Sequence, residues 1–173
     1  MLNCTVLGNF GGRYRRNQSS LSSVLSNNMN FQYEVQDIPG KGKGIIFKQA
    51  FRRGEVLYDF RNERDHIVVQ EEDLEAYLAT VPDIQECLNH GYCSGTEFID
   101  LANCDIRFTN HSFDPCSEYN HETGISIALR DIEVGDEFTE NYWNYHVPEK
   151  YDALMKKYVN GNYKEQSLTW ESK

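Results

Sequence analysis

The chain has 173 residues, with 17 Lys+Arg, 27 Asp+Glu and a formal net charge of -10. That length suggests one domain with a sizeable core, and 39% hydrophobic with 13% aromatic residues argues against global disorder. No apolar run approaches the roughly 20 residues of a membrane span, and the net charge has the wrong sign for wholesale binding of nucleic-acid phosphate.

The charge is unevenly placed. Met1 to Tyr33 contains Arg13, Arg15 and Arg16 and no Asp or Glu, so the remainder carries 14 basic against 27 acidic residues, or -13. An acidic surface of that kind suits a basic partner. The five cysteines, Cys4, Cys87, Cys93, Cys104 and Cys116, are odd in number, form no Cys-x-x-Cys pair and match no zinc spacing. Reduced thiols in a reducing compartment are expected, with neither metal nor disulfide framework.

Residues 1–30 read as a Ser/Asn-rich tail with too few apolar residues for a core element. Two readings of it stay open. One is an unfolded extension; the other is an organellar transit peptide, which is Arg-bearing, Ser-rich and acid-poor. A secretory signal is excluded, because no apolar h-region follows the arginines.

From Phe31 the pattern turns to short strands. Phe31 to Asp37 alternates apolar and polar residues. Pro39 to Gly44 then breaks the chain. Ile45–Phe47, Val56–Phe60 and Ile67–Val69 are strand-like. A helical insertion over residues 71–91 follows. Leu74, Tyr77, Leu78 and Val81 have helical spacing, behind the acids Glu71, Glu72 and Asp73. Pro82 starts a second short helix carrying Ile84, Cys87 and Leu88, which Gly91 can end. Phe98–Leu101, Tyr119–His121 and Ile125–Leu129 are further strands, the last two joined by a turn at Glu122–Gly124. Pro148 opens a final helix with Tyr151, Leu154, Met155, Tyr158 and Val159 on one face. The reading is a mainly β chain with two helical pieces and no internal repeat.

Three local motifs carry chemistry. Gly40-Lys-Gly42-Lys-Gly44 permits positive φ and close backbone approach to a ligand, but lacks dinucleotide-fingerprint spacing. Arg107-Phe-Thr-Asn-His-Ser-Phe-Asp-Pro115 gathers hydrogen-bonding side chains beside an aromatic and a proline. Gly135-Asp-Glu-Phe-Thr-Glu-Asn-Tyr142 leads a strand-like run into a tyrosine, with Trp143 and Tyr145 close behind. Each taken singly has a bland reading as a turn, a satisfied buried loop or a packing tyrosine.

Together, and in this order, they resemble the SET-domain protein lysine methyltransferases. The family's Gly-x-Gly turn corresponds to Gly42-Lys43-Gly44. Its Arg-Phe-x-Asn-His-Ser core corresponds to Arg107–Ser112, and its Gly-Glu-Glu-Leu-Thr-x-x-Tyr segment to Gly135–Tyr142. Phe98-Ile99-Asp100 matches the strand before the core motif.

The resemblance implies a mainly β, β-clip SET fold with a pseudoknot, a short helical insertion and a C-terminal helix. It divides the chain into a tail at 1–30, a SET domain at 31–145 and a C-terminal helix and tail at 146–173. It implies S-adenosylmethionine as cofactor, held by Gly42, Lys43, Gly44, Arg107, Phe108, Asn110, His111 and Tyr142. Tyr142 would be the catalytic tyrosine, and Phe98, Phe108, Glu140 and Tyr145 would line the substrate channel. The partner would be a lysine-containing protein, such as a histone tail, with no direct nucleic-acid contact, membrane or metal. The location would be intracellular, in nucleus or cytoplasm, with an organelle allowed by the acid-free N-terminus.

The chain also departs from the family. Phe113 replaces a common cysteine, with room to pack in the same apolar space, and Cys116 replaces an asparagine, which leaves the turn beyond Pro115 less well held. Glu140 stands where Phe or Tyr often influences the number of methyls added. Cysteine-rich flanks are missing, so the helix at 148–160, with Trp170, is the expected closure of the channel. A catalytically weak or inactive SET-fold module that binds a lysine-containing peptide is the alternative reading.

Overall fold

In the computed structural model, which describes residues 15–16, 29, 31–60, 66–159, 161 and 163–167, short strands form four small sheets. β2 (Tyr33–Ile38) and β3 (Gly42–Phe47) make an antiparallel hairpin. Its tight turn uses Gly40 at φ 81°, and Lys41 N–H closes it on the Ile38 carbonyl at 3.0 Å. Gly42-Lys43-Gly44 therefore opens a strand and does not itself form the chain break expected there. Ile45, Ile46 and Phe47 are consecutively buried, so this strand is covered on both faces. Along its other edge Phe138 N–H donates to Ile45 C=O at 2.8 Å, and Phe47 N–H donates to Asp136 C=O at 2.9 Å.

The second sheet places β10 (Ile125–Ala128) between β4 (Val56–Asp59) and β9 (Ser117–Asn120), all antiparallel. At the β9–β10 turn the Asn120 carboxamide oxygen accepts from Glu122 and Thr123 N–H at 2.9 and 3.0 Å. The third sheet runs β1 (Arg15–Arg16), β5 (Ile67–Gln70), β7 (Glu97–Asp100), β6 (Tyr92–Ser94). The strand β6 is absent from the sequence reading. The fourth is a two-residue parallel pair, β8 (Asn110–His111) with β11 (Thr139–Glu140).

The insertion holds α1 (Leu74–Leu78) and α2 (Ile84–His90). The cap of α2 is Asp83, whose carboxylate accepts from Glu86 N–H at 3.0 Å, so the helix starts two residues after Pro82. Leu74, Leu78 and Leu88 pack with Val69, Phe98 and the buried face of α3 (Glu149–Tyr158), which supplies Tyr151, Leu154 and Met155. The Tyr151 hydroxyl donates to Leu88 C=O at 2.8 Å. A short α4 (Tyr163–Ser167) follows.

A second core is aromatic: Phe31, Phe47 and Phe138 pack with Ile45, Leu57 and Ile132, and Met29 belongs to it at 4% exposure. The boundaries expected at 30 and 145 thus cut through packed cores, at Met29 on one side and at α3 on the other. Arg15–Arg16 pair antiparallel with Ile67 and Val68. The other residues before Met29 lie outside the described residues, and with them the tail and transit-peptide readings. Among the described residues no helix is long and apolar enough to cross a membrane. Cys87, Cys93, Cys104 and Cys116 are buried.

Candidate active site

The parallel contact of β8 and β11 brings the second and third motifs side by side. Asn110 pairs with Thr139 and His111 with Glu140, and Ser112 N–H donates to Glu140 C=O at 3.1 Å. Cys116 secures the same corner. Its N–H donates to Thr139 Oγ1 at 3.2 Å, and its sulfur accepts from Thr139 N–H at 3.3 Å. The turn beyond Pro115 is therefore held by the thiol that replaces the family's asparagine. Phe113 is 48% exposed and does not fill an interior space; its ring lies edge-on to His111 at 4.5 Å and tilts against Trp143 at 6.4 Å.

The first motif meets this corner through Asn110. Its Nδ2 donates to Lys43 C=O at 3.0 Å and to Glu137 Oε1 at 2.7 Å. A Cβ on Gly44 would come within 2.5 Å of Ile38 Cγ1 and 2.9 Å of Asn110 Nδ2 and Glu137 Oε1, so any larger residue would push these side chains apart. Gly42, at φ 85°, faces open space. The Glu137 carboxylate also pairs with Lys41 at 3.2 Å. Lys43 and Arg107 both lie over the Phe108 ring, at 5.3 and 4.6 Å.

His111 is buried, and its Nδ1 accepts from Tyr142 N–H at 3.1 Å, so the neutral ring carries its proton on Nε2. The Tyr142 hydroxyl donates to Thr109 C=O. Beyond Tyr142 a cavity of about 100 Å³ opens. Its walls come from β4, β6, β9, β10, β11, the end of α2 and the segments around Arg107 and Tyr142, with Tyr58, Tyr92, Tyr119, Tyr142 and Tyr145 around the Glu140 carboxylate. Ser126 and Ser117 donate to Glu140 Oε1 at 2.9 and 3.4 Å, and the Tyr145 hydroxyl donates to Oε2. Burial pushes the Glu140 carboxyl up to about 7 against those serine hydrogen bonds, and burial likewise raises the Tyr92 and Tyr119 hydroxyls.

A match to the SET domain covers residues 42–143. The chain belongs to the SET-domain family. Among solved structures, this SET domain is similar to a chain of ctPRC2 in an autoinhibited conformation bound to S-adenosylmethionine. The likeness is 17% identical, covers 73% of this chain and 17% of that one, and has a TM-score of 0.53. It is also similar to ctPRC2 in complex with H3K27me3 and H3K27M, at 17% identity, 65% and 14% coverage and a TM-score of 0.49. The first likeness shows the shared fold. The chain spans under a fifth of the length of both. The search of curated proteins finds no match.

Most expected site residues of the SET domain converge. Gly42, Lys43, Gly44, Arg107, Phe108, Asn110, His111 and Tyr142 surround one corner, while Glu140 and Tyr145 line the adjoining cavity. Phe98 does not join them. It points to the opposite face of β7, into the core with Cys93 and Tyr151, while its neighbour Ile99 packs on the side of Tyr92 and Leu101. Phe108 packs under Lys43 and Arg107 and is absent from the cavity wall. Among the described residues, α3 also gives nothing to that wall, and Trp170 lies outside the described residues; Asn89, His90 and Gly91 of the insertion, Tyr92 of β6 and Tyr145 line it. Tyr58, Tyr92 and Tyr119 are cavity residues the sequence reading missed.

Proposed function

We propose that this SET domain transfers a methyl group from S-adenosylmethionine to a lysine side chain of a protein substrate. The observation that carries the reading is the meeting of β3, Asn110, His111 and Tyr142 at the edge of an aromatic cavity. Gly42 fits a ligand that approaches the backbone closely, since it faces open space at a positive φ, and Gly44 leaves room for the Asn110 and Glu137 side chains beside it. Lys43 and Gly44 would hold the cofactor through main-chain groups, Asn110 and His111 beside them, with Arg107, Phe108 and Tyr142 completing the wall. When bound, S-adenosylmethionine supplies an electrophilic methyl carbon on a sulfonium.

The chain's residues have two tasks. They position a lysine amine in line with that methyl, which is worth much of the rate. They also favour the neutral amine, which costs about 4.6 kcal/mol at pH 7 for a lysine of ordinary pKa. A tyrosine-lined cavity lowers that cost by desolvating the ammonium, and its ring faces accept methylammonium products. The Tyr142 hydroxyl, fixed by Thr109 C=O, is the group we assign to hold the amine at the methyl-transfer end. The charge of -13 beyond Tyr33 supports a basic substrate, a histone tail or another lysine-rich protein.

Labelled S-adenosylmethionine with histones and lysate proteins tests this. Label should appear on protein lysines, and Tyr142→Phe should slow transfer by about 100-fold or more. Equal labelling by Tyr142→Phe and wild type would overturn its role. Binding of S-adenosylmethionine without any labelling would favour the peptide-binding module instead.

A further inference from the structure

Glu140 is a carboxylate 9% exposed in a cavity whose wall includes five tyrosines. Its hydrogen-bond partners are neutral hydroxyls: Ser126, Ser117 and Tyr145. Among the described residues no cationic side chain forms an ion pair with it. A buried carboxylate without a cation is unfavourable by several kcal/mol as a purely structural element. The rings around it have the arrangement that attracts cations. Tyr92 and Tyr119 stand 6.1 Å apart, His121 lies 4.8 Å from Tyr119 and 5.2 Å from Tyr145, and Tyr142 stacks on Tyr145 at 6.1 Å. An anionic group at the back of an aromatic box is matched to a primary alkylammonium, which offers both charge and N–H donors.

We propose that Glu140 receives the substrate's ammonium group in this cavity and accepts its proton before methyl transfer. Each carboxylate oxygen has two acceptor positions, so Oε2 can take an N–H while it still accepts from Tyr145. An N–H bond breaks and an O–H bond forms on Oε2, while the electron pair stays on nitrogen as the lone pair that methyl transfer needs. The proton later leaves to solvent. Proton acceptance rests on the methyltransferase reading; ammonium binding does not.

Burial makes the Glu140 carboxylate more basic and brings its protonation close to neutral pH, as an acceptor requires. The other titratable or charged groups that line this cavity or act on Glu140 are Tyr58 of β4, His90 of α2, Tyr92 of β6, Arg107, Glu118 and Tyr119 of β9, Cys116, Tyr142 and Tyr145, with His121 packed on the rings of Tyr119 and Tyr145. Burial holds His121 below its ordinary value.

The test uses the whole chain and two small probes, n-butylammonium and its neutral analogue 1-butanol, titrated by calorimetry or followed by tyrosine fluorescence. Wild type should bind n-butylammonium, and Glu140→Gln should weaken it by about tenfold or more while 1-butanol binds both alike. Wild-type affinity should fall as pH drops below about 7, and His121→Gln should keep that fall. Equal n-butylammonium affinity in wild type and Glu140→Gln would overturn the proposal, as would a flat pH profile in wild type, which needs no variant to fold. Methyl labelling is read separately. Butylammonium binding without labelling defeats the methyltransferase reading and leaves the ammonium site standing. Labelling with Glu140→Gln at the wild-type rate and pH profile defeats proton acceptance alone.

Discussion

A carboxyl buried as Glu140 is holds its proton more tightly in the folded chain than in the unfolded one. Its ordinary value of 4.5 rises to about 7, with burial the main cause. Between those two values the folded state carries a proton that the unfolded state has released. Stability is therefore full below about pH 4.5 and declines as pH rises through 7, by about 3 kcal/mol in all. Urea unfolding at about pH 5 and about pH 8 measures the decline, and Glu140→Gln should flatten it. A wild-type decline that persists in Glu140→Gln would assign it to another group. Glu140 itself is legible in the sequence, because it stands two places before the motif tyrosine. Its surroundings are not. Tyr58, Tyr92 and Tyr119 come from three separated strands, and a tyrosine in an alternating strand reads only as packing.

At the scale of elements, the sequence located most strands and all three longer helices, the helices and β2 by their period and strands such as β3 as short apolar runs between turns. Parity decided the main error. Phe98 and Ile99 point to opposite faces of β7, and no local signal tells which face lines the cavity. Phe98 instead closes against Gly91, where an added Cβ would come within 2.2 Å of its ring. Phe98→Ala should destabilise the chain by about 3–5 kcal/mol in urea titrations. The folded fraction should keep its affinity for S-adenosylmethionine by calorimetry. Loss of affinity with unchanged stability would return Phe98 to the site. The two-residue strands β8 and β11 are also beyond reach of periodicity. The motif resemblance found their residues, and only the tertiary contact of Asn110 with Lys43 and Glu137 makes them one corner.

For the whole molecule, two cores share the work of holding that corner. The aromatic core positions β3, and the helical core positions residues 89–92 at the cavity wall. Tyr151 is fully buried and bonds Leu88, so α3 is part of the second core although it lines no cavity. A chain ending at residue 145 loses Tyr151, Leu154 and Met155 together and should lack a cooperative thermal transition. Circular dichroism against temperature shows this, and a sharp transition in the shortened chain would make the 31–145 boundary sound. The net charge of -10 acquires meaning at this scale too. All 27 acidic residues lie beyond Tyr33, and under the proposed function that charge favours a basic substrate. Mass spectrometry of a cell extract incubated with the chain and S-adenosylmethionine tests the central claim most directly. The account predicts new methyl groups on lysine side chains with wild type, sharply reduced with Tyr142→Phe. An extract without new lysine methylation, or methylation on other residue types only, would contradict it.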